Sequence, residues 1–352
     1  MKISNKTKPR GIALFIVMIA IFVLSVMAAI FAASMKVEIK LAANAEHEEQ
    51  LLWLGRSGVE YCRWILSQES CPYDALNQVW AGGTGSACDT NLASFVQNPY
   101  PLGDCSFTWS ITNLESKLNI NTANPILLQR ALNNMGVDVN SISVVSDSIL
   151  DWISPGENTR LAGAKSDYYQ NLDPPYYCKD TPMDDPSELL LIRGIWDHPE
   201  IYTGGCSTNQ EPAAFQPRLG LGNSPFQTPC YSFGLSNIVT AISNGRININ
   251  TADTNVLQLL PGVDDAIAEN IVKMRAGPDG MDGTEDDTPF SNPSQITMAG
   301  APAADANYCT VRGSAFEVHV IAQIPNVPER NYYAVLYRNS PTDIKVLSFY
   351  WK

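Results

Sequence analysis

Histidine is scarce, and the common signatures of catalysis are missing. Only His47, His198 and His319 occur in 352 residues. They are not spaced as metal ligands, and no C-x-x-C pair accompanies them. There is no G-x-S-x-G, no H-E-x-x-H and no glycine-rich loop following a strand. An enzyme therefore has nothing to be built on, and none is expected. Positive charge is also short: 23 Lys and Arg against 36 Asp and Glu leave a net charge of −13. Such a surface repels phosphate, which argues against nucleic-acid binding and against docking on anionic lipid. Divalent cations and basic protein surfaces remain as partners.

One stretch lacks charge and proline altogether, from Ile12 to Met35. As a helix it is about 36 Å long, enough to cross a bilayer core with some tilt. Lys2, Lys6, Lys8 and Arg10 precede it without an acidic residue, so the remaining chain is expected on the far side of the membrane. The run is too long for the core of a cleaved secretory signal. A plain N-terminal anchor is the simpler alternative. No proline follows before Pro72, and apolar residues recur at Val37, Ile39, Leu41, Leu51, Leu54, Val59, Tyr61 and Ile65. One helix is therefore predicted from Ile12 to about Gln68, half in lipid and half as a stalk.

All eight cysteines, at 62, 71, 88, 105, 178, 206, 230 and 309, fall beyond the apolar run. An even number in an extracytoplasmic part predicts up to four disulfides, with 105 possible connectivities. Cys105–Asn113 alternates as a strand, and three more alternating segments follow Ser314. Between them the chain repeats itself, with Asn-Ile-Asn-Thr-Ala at 119–123 and again at 248–252. Thr122 and Thr251, or the neighbouring Asn121 and Asn250, are predicted to cap helices. Further helices are expected from about Ser141 to Ile153, after Asp185-Pro186-Ser187-Glu188, and from Ala266 to Met274. The fold class is α+β: a long N-terminal transmembrane and stalk helix packed on a small antiparallel sheet, with a large all-α insertion. The expected boundaries are a leader at 1–11, a membrane helix at 12–35, stalk and first strand at 36–114, the insertion at 115–305, and C-terminal strands at 306–352.

A basic leader ending in Gly11, then an apolar helix running into an amphipathic one, resembles the type IV pilin and pseudopilin class. That resemblance implies cleavage by a prepilin peptidase between Gly11 and Ile12 and methylation of the new amino group. Most of the class carries Glu at the fifth mature position, where this chain has Ile16. The layout resembles the general secretion pathway protein K family, the large minor pseudopilins of type II secretion, and the related large minor pilins of type IV pili. The residues carrying it include Asp151-Trp152, Arg160, Gly163-Ala164, Tyr168-Tyr169, Pro174-Pro175-Tyr176, Ser187-Glu188-Leu189, Arg193-Gly194 and the end Phe349-Tyr350-Trp351. Where the family continues with further acidic residues, this chain has Ser154-Pro155-Gly156, and Lys165 stands where the family has Glu. The resemblance implies a single-pass inner-membrane protein with its bulk in the periplasm, seated at the pseudopilus tip, where a subunit has no neighbour above to pair with a fifth-position Glu. Its implied partners are other minor pseudopilins, the prepilin peptidase, the inner-membrane assembly platform and secreted substrates.

Two further segments carry expectations. The second repeat also resembles the helix-hairpin-helix of membrane-anchored DNA receptors. Its hairpin, however, is Pro261-Gly262-Val263-Asp264-Asp265, with two carboxylates where a phosphate would approach. Without the four positive residues of the leader the charge falls from −13 to −17, so DNA binding is not expected. The acidic turn GPDGMDGTEDDTPF offers Asp279, Asp282, Asp286 and Asp287, with Glu285 behind them, as ligands for a structural Ca²⁺. The spacing is not that of an EF-hand, and the plain alternative is a solvated turn.

Overall fold

The computed structural model describes residues 11–85, 88, 92–206 and 230–352. Helix α1 (Gly11–Gln68) is continuous through both the apolar run and the stalk. From Leu51 onward its buried residues, Leu51, Leu54, Gly55, Gly58, Val59, Cys62, Ile65 and Leu66, recur at the one, three and four residue intervals of a single helical face and form one stripe. Gly55 and Gly58 lie within that stripe. A Cβ on Gly58 would stand 2.5 Å from a methyl of Val320, and one on Gly55 2.4 Å from the Tyr332 ring. The sheet approaches that closely because neither position has a side chain.

Strands β1 (Tyr100–Leu102) and β2 (Cys105–Asn113) follow. The chain then leaves the sheet through β3 (Leu118–Asn119), α2 (Pro125–Met135), α3 (Val139–Ile153), and the short helices α4 (Ser166–Tyr169) and α5 (Glu200–Thr203). Next come β4 (Gly205–Cys206), β5 (Cys230–Tyr231), α6 (Leu235–Ile238), β6 (Val239–Thr240), β7 (Ile247–Asn248), α7 (Thr254–Leu257), α8 (Asp265–Arg275) and β8 (Cys309–Thr310). It returns as β9 (Ala315–Gln323), β10 (Arg330–Ser340) and β11 (Asp343–Trp351). The main sheet is antiparallel in the order β1-β2-β9-β10-β11, so the neighbours β2 and β9 are separated in sequence by the whole insertion. One core lies between α1 and the sheet and includes Trp80, Phe107, Trp109, Phe316, Val320 and Tyr332. A second core fills the insertion, around Leu128, Ile149, Trp152, Tyr169, Leu189, Leu257 and Ile271.

Three details differ from the sequence-based expectations. Strand β1 contains Pro101 and was not foreseen, because proline reads as a loop signal. As an edge strand it tolerates a residue without an N–H. The segment after Asp185 is a 3-10 helix, Pro186–Leu191, although its capping box with Glu188 is formed; the chain becomes extended at Ile192. The insertion is also not purely helical, since β3–β6, β4–β5 and β7–β8 form two-residue ladders within it.

Candidate functional site

The N-terminal half of α1 is apolar and, by length and composition, long enough to cross a bilayer. Ile16 is 60% exposed within it. Gly11 and Ile12 open the helix, and the preceding basic segment lies outside the described residues.

A polar neck links stalk and insertion. Asp74 and Arg338 form a fully buried ion pair. Asp74 Oδ2 also accepts from the Gly313 amide at 2.6 Å, and Arg338 donates to the Gly313 carbonyl at 2.8 Å while lying 4.7 Å over the Phe316 ring. The Asp74 carbonyl receives Asn248 of the second repeat at 3.1 Å. Beside it, buried Glu115 accepts from the Ser314 hydroxyl at 2.6 Å and from the amides of Ala315 and Asn244. It thus ties the exit of β2, the entry to β9 and the second repeat together. Burial pushes its carboxyl above the ordinary glutamate range, and those hydrogen bonds pull it part of the way back.

The residues of the family resemblance between Asp151 and Gly194 converge on one another, while Phe349-Tyr350-Trp351 lie apart on β11. Asp151, at the end of α3, holds Arg160 at 2.7 Å and accepts the Arg160 amide at 3.1 Å. A Cβ on Gly163 would come within 1.9 Å of Asp151 Oδ2, so glycine is required there. Arg193 donates to the Gly163 carbonyl and stacks on Tyr168, and its amide meets the Tyr169 hydroxyl. Trp152 packs edge-on against Tyr169 and donates to Glu188, while Tyr169 stacks on Tyr176. This constellation is the packed interior of a domain.

The two repeats are built alike, but their capping differs from expectation. Asn124 caps α2 and Asp253 caps α7, each past the Asn-Thr pair, and Pro125 at the helix start fixes that register in the first repeat. Asn121 and Asn250 are clamps instead. Asn121 exchanges two hydrogen bonds with the backbone of Met183, and Asn250 does the same with Phe290. The hairpin of the second repeat is closed from both sides. Its Gly262 amide donates to Asp305 at 3.0 Å, so a carboxylate of the chain sits where a nucleic-acid phosphate would. Arg130 of the first repeat reaches the carbonyls of Gln258 and Pro261 at 2.6 Å and that of Val263. Asp264 caps α8 and Asp265 holds Gln258, so neither carboxylate guards the hairpin as the sequence suggested.

In the acidic turn the carboxylates serve the protein's own donors. Asp282 makes a two-pronged pair with Arg275 at 2.8 and 2.9 Å. Asp286 accepts from Thr284 and the Asp279 amide, Asp287 from the Gly283 amide, and Asp279 from the Met281 amide. Among the described residues no three His, Cys, Asp or Glu side chains are grouped as a metal ion requires. The cysteines also depart from the expected full pairing. Cys71 is bonded to Cys88, and Cys230 is disulfide-bonded and lies opposite Cys206 in its ladder. Cys62, Cys105, Cys178 and Cys309 are free. Burial pushes the Cys178 thiol up to about 11 and the Cys309 thiol up to about 12. An even count predicts pairing, but these four lie on separate elements.

A long apolar helix whose far half is clasped by an antiparallel sheet defines a pilin-like fold, here with a helical domain inserted between two neighbouring strands. The family model for type II secretion system protein K matches residues 91–203, and a helix-hairpin-helix model matches 243–279. Type II secretion system protein K of Aeromonas hydrophila is 24% identical over 206 residues, covering 53% of this chain and 59% of that protein's length. The GspK-GspI-GspJ complex from the enterotoxigenic Escherichia coli type 2 secretion system contains a chain of like fold. That match has a TM-score of 0.61 at 15% identity and covers 88% of this chain and 99% of the other. In sequence the chain is similar to the type II secretion system protein K family over residues 91–203.

Proposed function

We propose that the protein is a minor pseudopilin at the tip of the type II secretion pseudopilus, helping to start its assembly and the export of proteins across the outer membrane. The observation that carries this is the placement of the helical domain. It hangs between β2 and β9, the two strands packed most extensively on the stalk helix, where it would collide with a subunit stacked above. The apolar, lipid-ready Ile16 supports the same position. The prepilin peptidase cuts between Gly11 and Ile12, and the new Ile12 amino group is methylated. Other minor pseudopilins, by analogy with the complex named above, and the assembly platform are its partners, and its role is structural. Its bulk stands in the periplasm, and secreted proteins meet it there.

Two measurements test this. Intact-mass analysis of protein made with the peptidase should give a chain beginning at Ile12; a retained leader or another start refutes the assignment. Ile16→Glu should leave secretion unchanged or lower it, because an unpaired carboxylate in lipid costs a few kcal/mol. Improved pseudopilus assembly from that variant would move the subunit from tip to shaft.

A further inference from the structure

Two buried cationic side chains in the helical domain face the same set of acceptors. Lys165 is 5% exposed. Its ammonium donates to the Asp151 carbonyl at 2.7 Å, the Ser154 carbonyl at 2.5 Å and Asp180 Oδ1 at 2.5 Å. Arg275 is 4% exposed. Its guanidinium donates to the Ile249 carbonyl at 2.9 Å, the Ala252 carbonyl at 2.6 Å and both oxygens of Asp282. Each cation therefore sits among two backbone carbonyls and one loop carboxylate. That donor set, carbonyl and carboxylate oxygen around one positive centre, is what hard divalent cations take from proteins.

The surroundings fit a fixed charge. Asp151 and Ser154 stand at the C-terminal end of α3, where the helix dipole favours a cation. Asp180 holds a left-handed backbone with φ of 54°, which Asp adopts more readily than most residues, and its carboxylate meets the Lys165 ammonium from there. At the second site, a metal ion seeking Asp282 would have to displace Arg275.

We propose that these are cation sites whose cation is part of the chain. Lys165 and Arg275 hold their loops shut, the folded domain needs no bound divalent ion, and the Lys165 site is a latent metal site that opens when the ammonium is removed.

The test is thermal unfolding of the full chain in non-ionic detergent, followed by tryptophan fluorescence, in millimolar calcium chloride and in excess chelator. The wild-type midpoint should be the same in both. Lys165→Ala should melt lower in chelator, and calcium should recover at least half of that loss. Lys165→Ala combined with Asp180→Ala should lose the recovery. A calcium-dependent wild-type midpoint, or a Lys165→Ala protein equally unstable with and without calcium, overturns the proposal. If Lys165→Ala does not fold in chelator, folding restored by calcium during refolding supports the latent site, and failure in both conditions refutes it.

Discussion

Replacing Asp74 with alanine should be among the most damaging single changes outside the two apolar cores. The substitution removes a carboxylate that is fully buried and leaves Arg338, 2% exposed at its side chain, without its counter-charge. What remains for the guanidinium is one carbonyl, that of Gly313, and the face of Phe316. Breaking a buried pair from one side costs about 3–5 kcal/mol, and the Gly313 amide loses its acceptor as well. Asp74→Ala together with Arg338→Met removes both charges and should be more stable than Asp74→Ala alone, with a coupling of about 2 kcal/mol. Urea unfolding reports it: Trp80 packs 5.3 Å from Phe316, so its fluorescence senses this neck directly. A single variant within about 1 kcal/mol of wild type, or a strictly additive double variant, would show that water reaches the pair and that the neck is not held by it.

Other expectations follow from the same geometry. Gly163→Ala should lower stability by about 3 kcal/mol in urea unfolding, because its Cβ drives the Asp151 carboxylate off Arg160; a loss below about 1 kcal/mol would refute this. Glu115, with its pKa raised in the folded state by burial, contributes stability that is full below the ordinary glutamate value of about 4.3 and is lost as pH rises through the folded value. Glu115→Gln should remove that decline from a pH series of unfolding midpoints, and an unchanged series would count against the burial argument. Alkylation of unfolded, unreduced protein should modify Cys62, Cys105, Cys178 and Cys309. In the folded protein half-buried Cys105 should react first, and labelling of Cys71 or Cys88 without reductant would contradict the bond between them.

Much of the architecture was legible because it is periodic. The single helix α1 follows from an apolar run without proline and a stripe at helical spacing, and β2, β9, β10 and β11 follow from strict alternation. The repeated Asn-Ile-Asn-Thr-Ala announced two related units, but not what their asparagines do. Asn121 and Asn250 bind backbone 62 and 40 residues away, and no local pattern encodes such a partner. The same limit hid Arg130, whose carbonyl acceptors lie more than 120 residues on, and Asp305, which answers Gly262 from 43 residues away. Counting cysteines gave parity and no geometry. The acidic turn advertised its carboxylates, while the cation that takes Asp282 sits at the end of the preceding helix, outside the motif.

The closed hairpin and the polar neck bear on how the two halves of the molecule move together. Apolar burial is non-directional, and apart from a small patch around Leu114, Ala315 and Val335 the two cores are separate. The Asp74–Arg338–Gly313 and Glu115–Ser314–Ala315 contacts are directional, and they fix the angle at which the helical domain leaves the sheet. Within that domain, Arg130 of the first repeat takes the carbonyls of Gln258, Pro261 and Val263 in the second, and Asp305 takes the Gly262 amide of the same hairpin. A helix-hairpin-helix that would offer its amide to a phosphate is here an internal fastener, and the acidity of the chain is then no obstacle to its use. A push delivered along α1 would therefore reach the far side of the helical domain through oriented polar bonds, as the tip position proposed above requires.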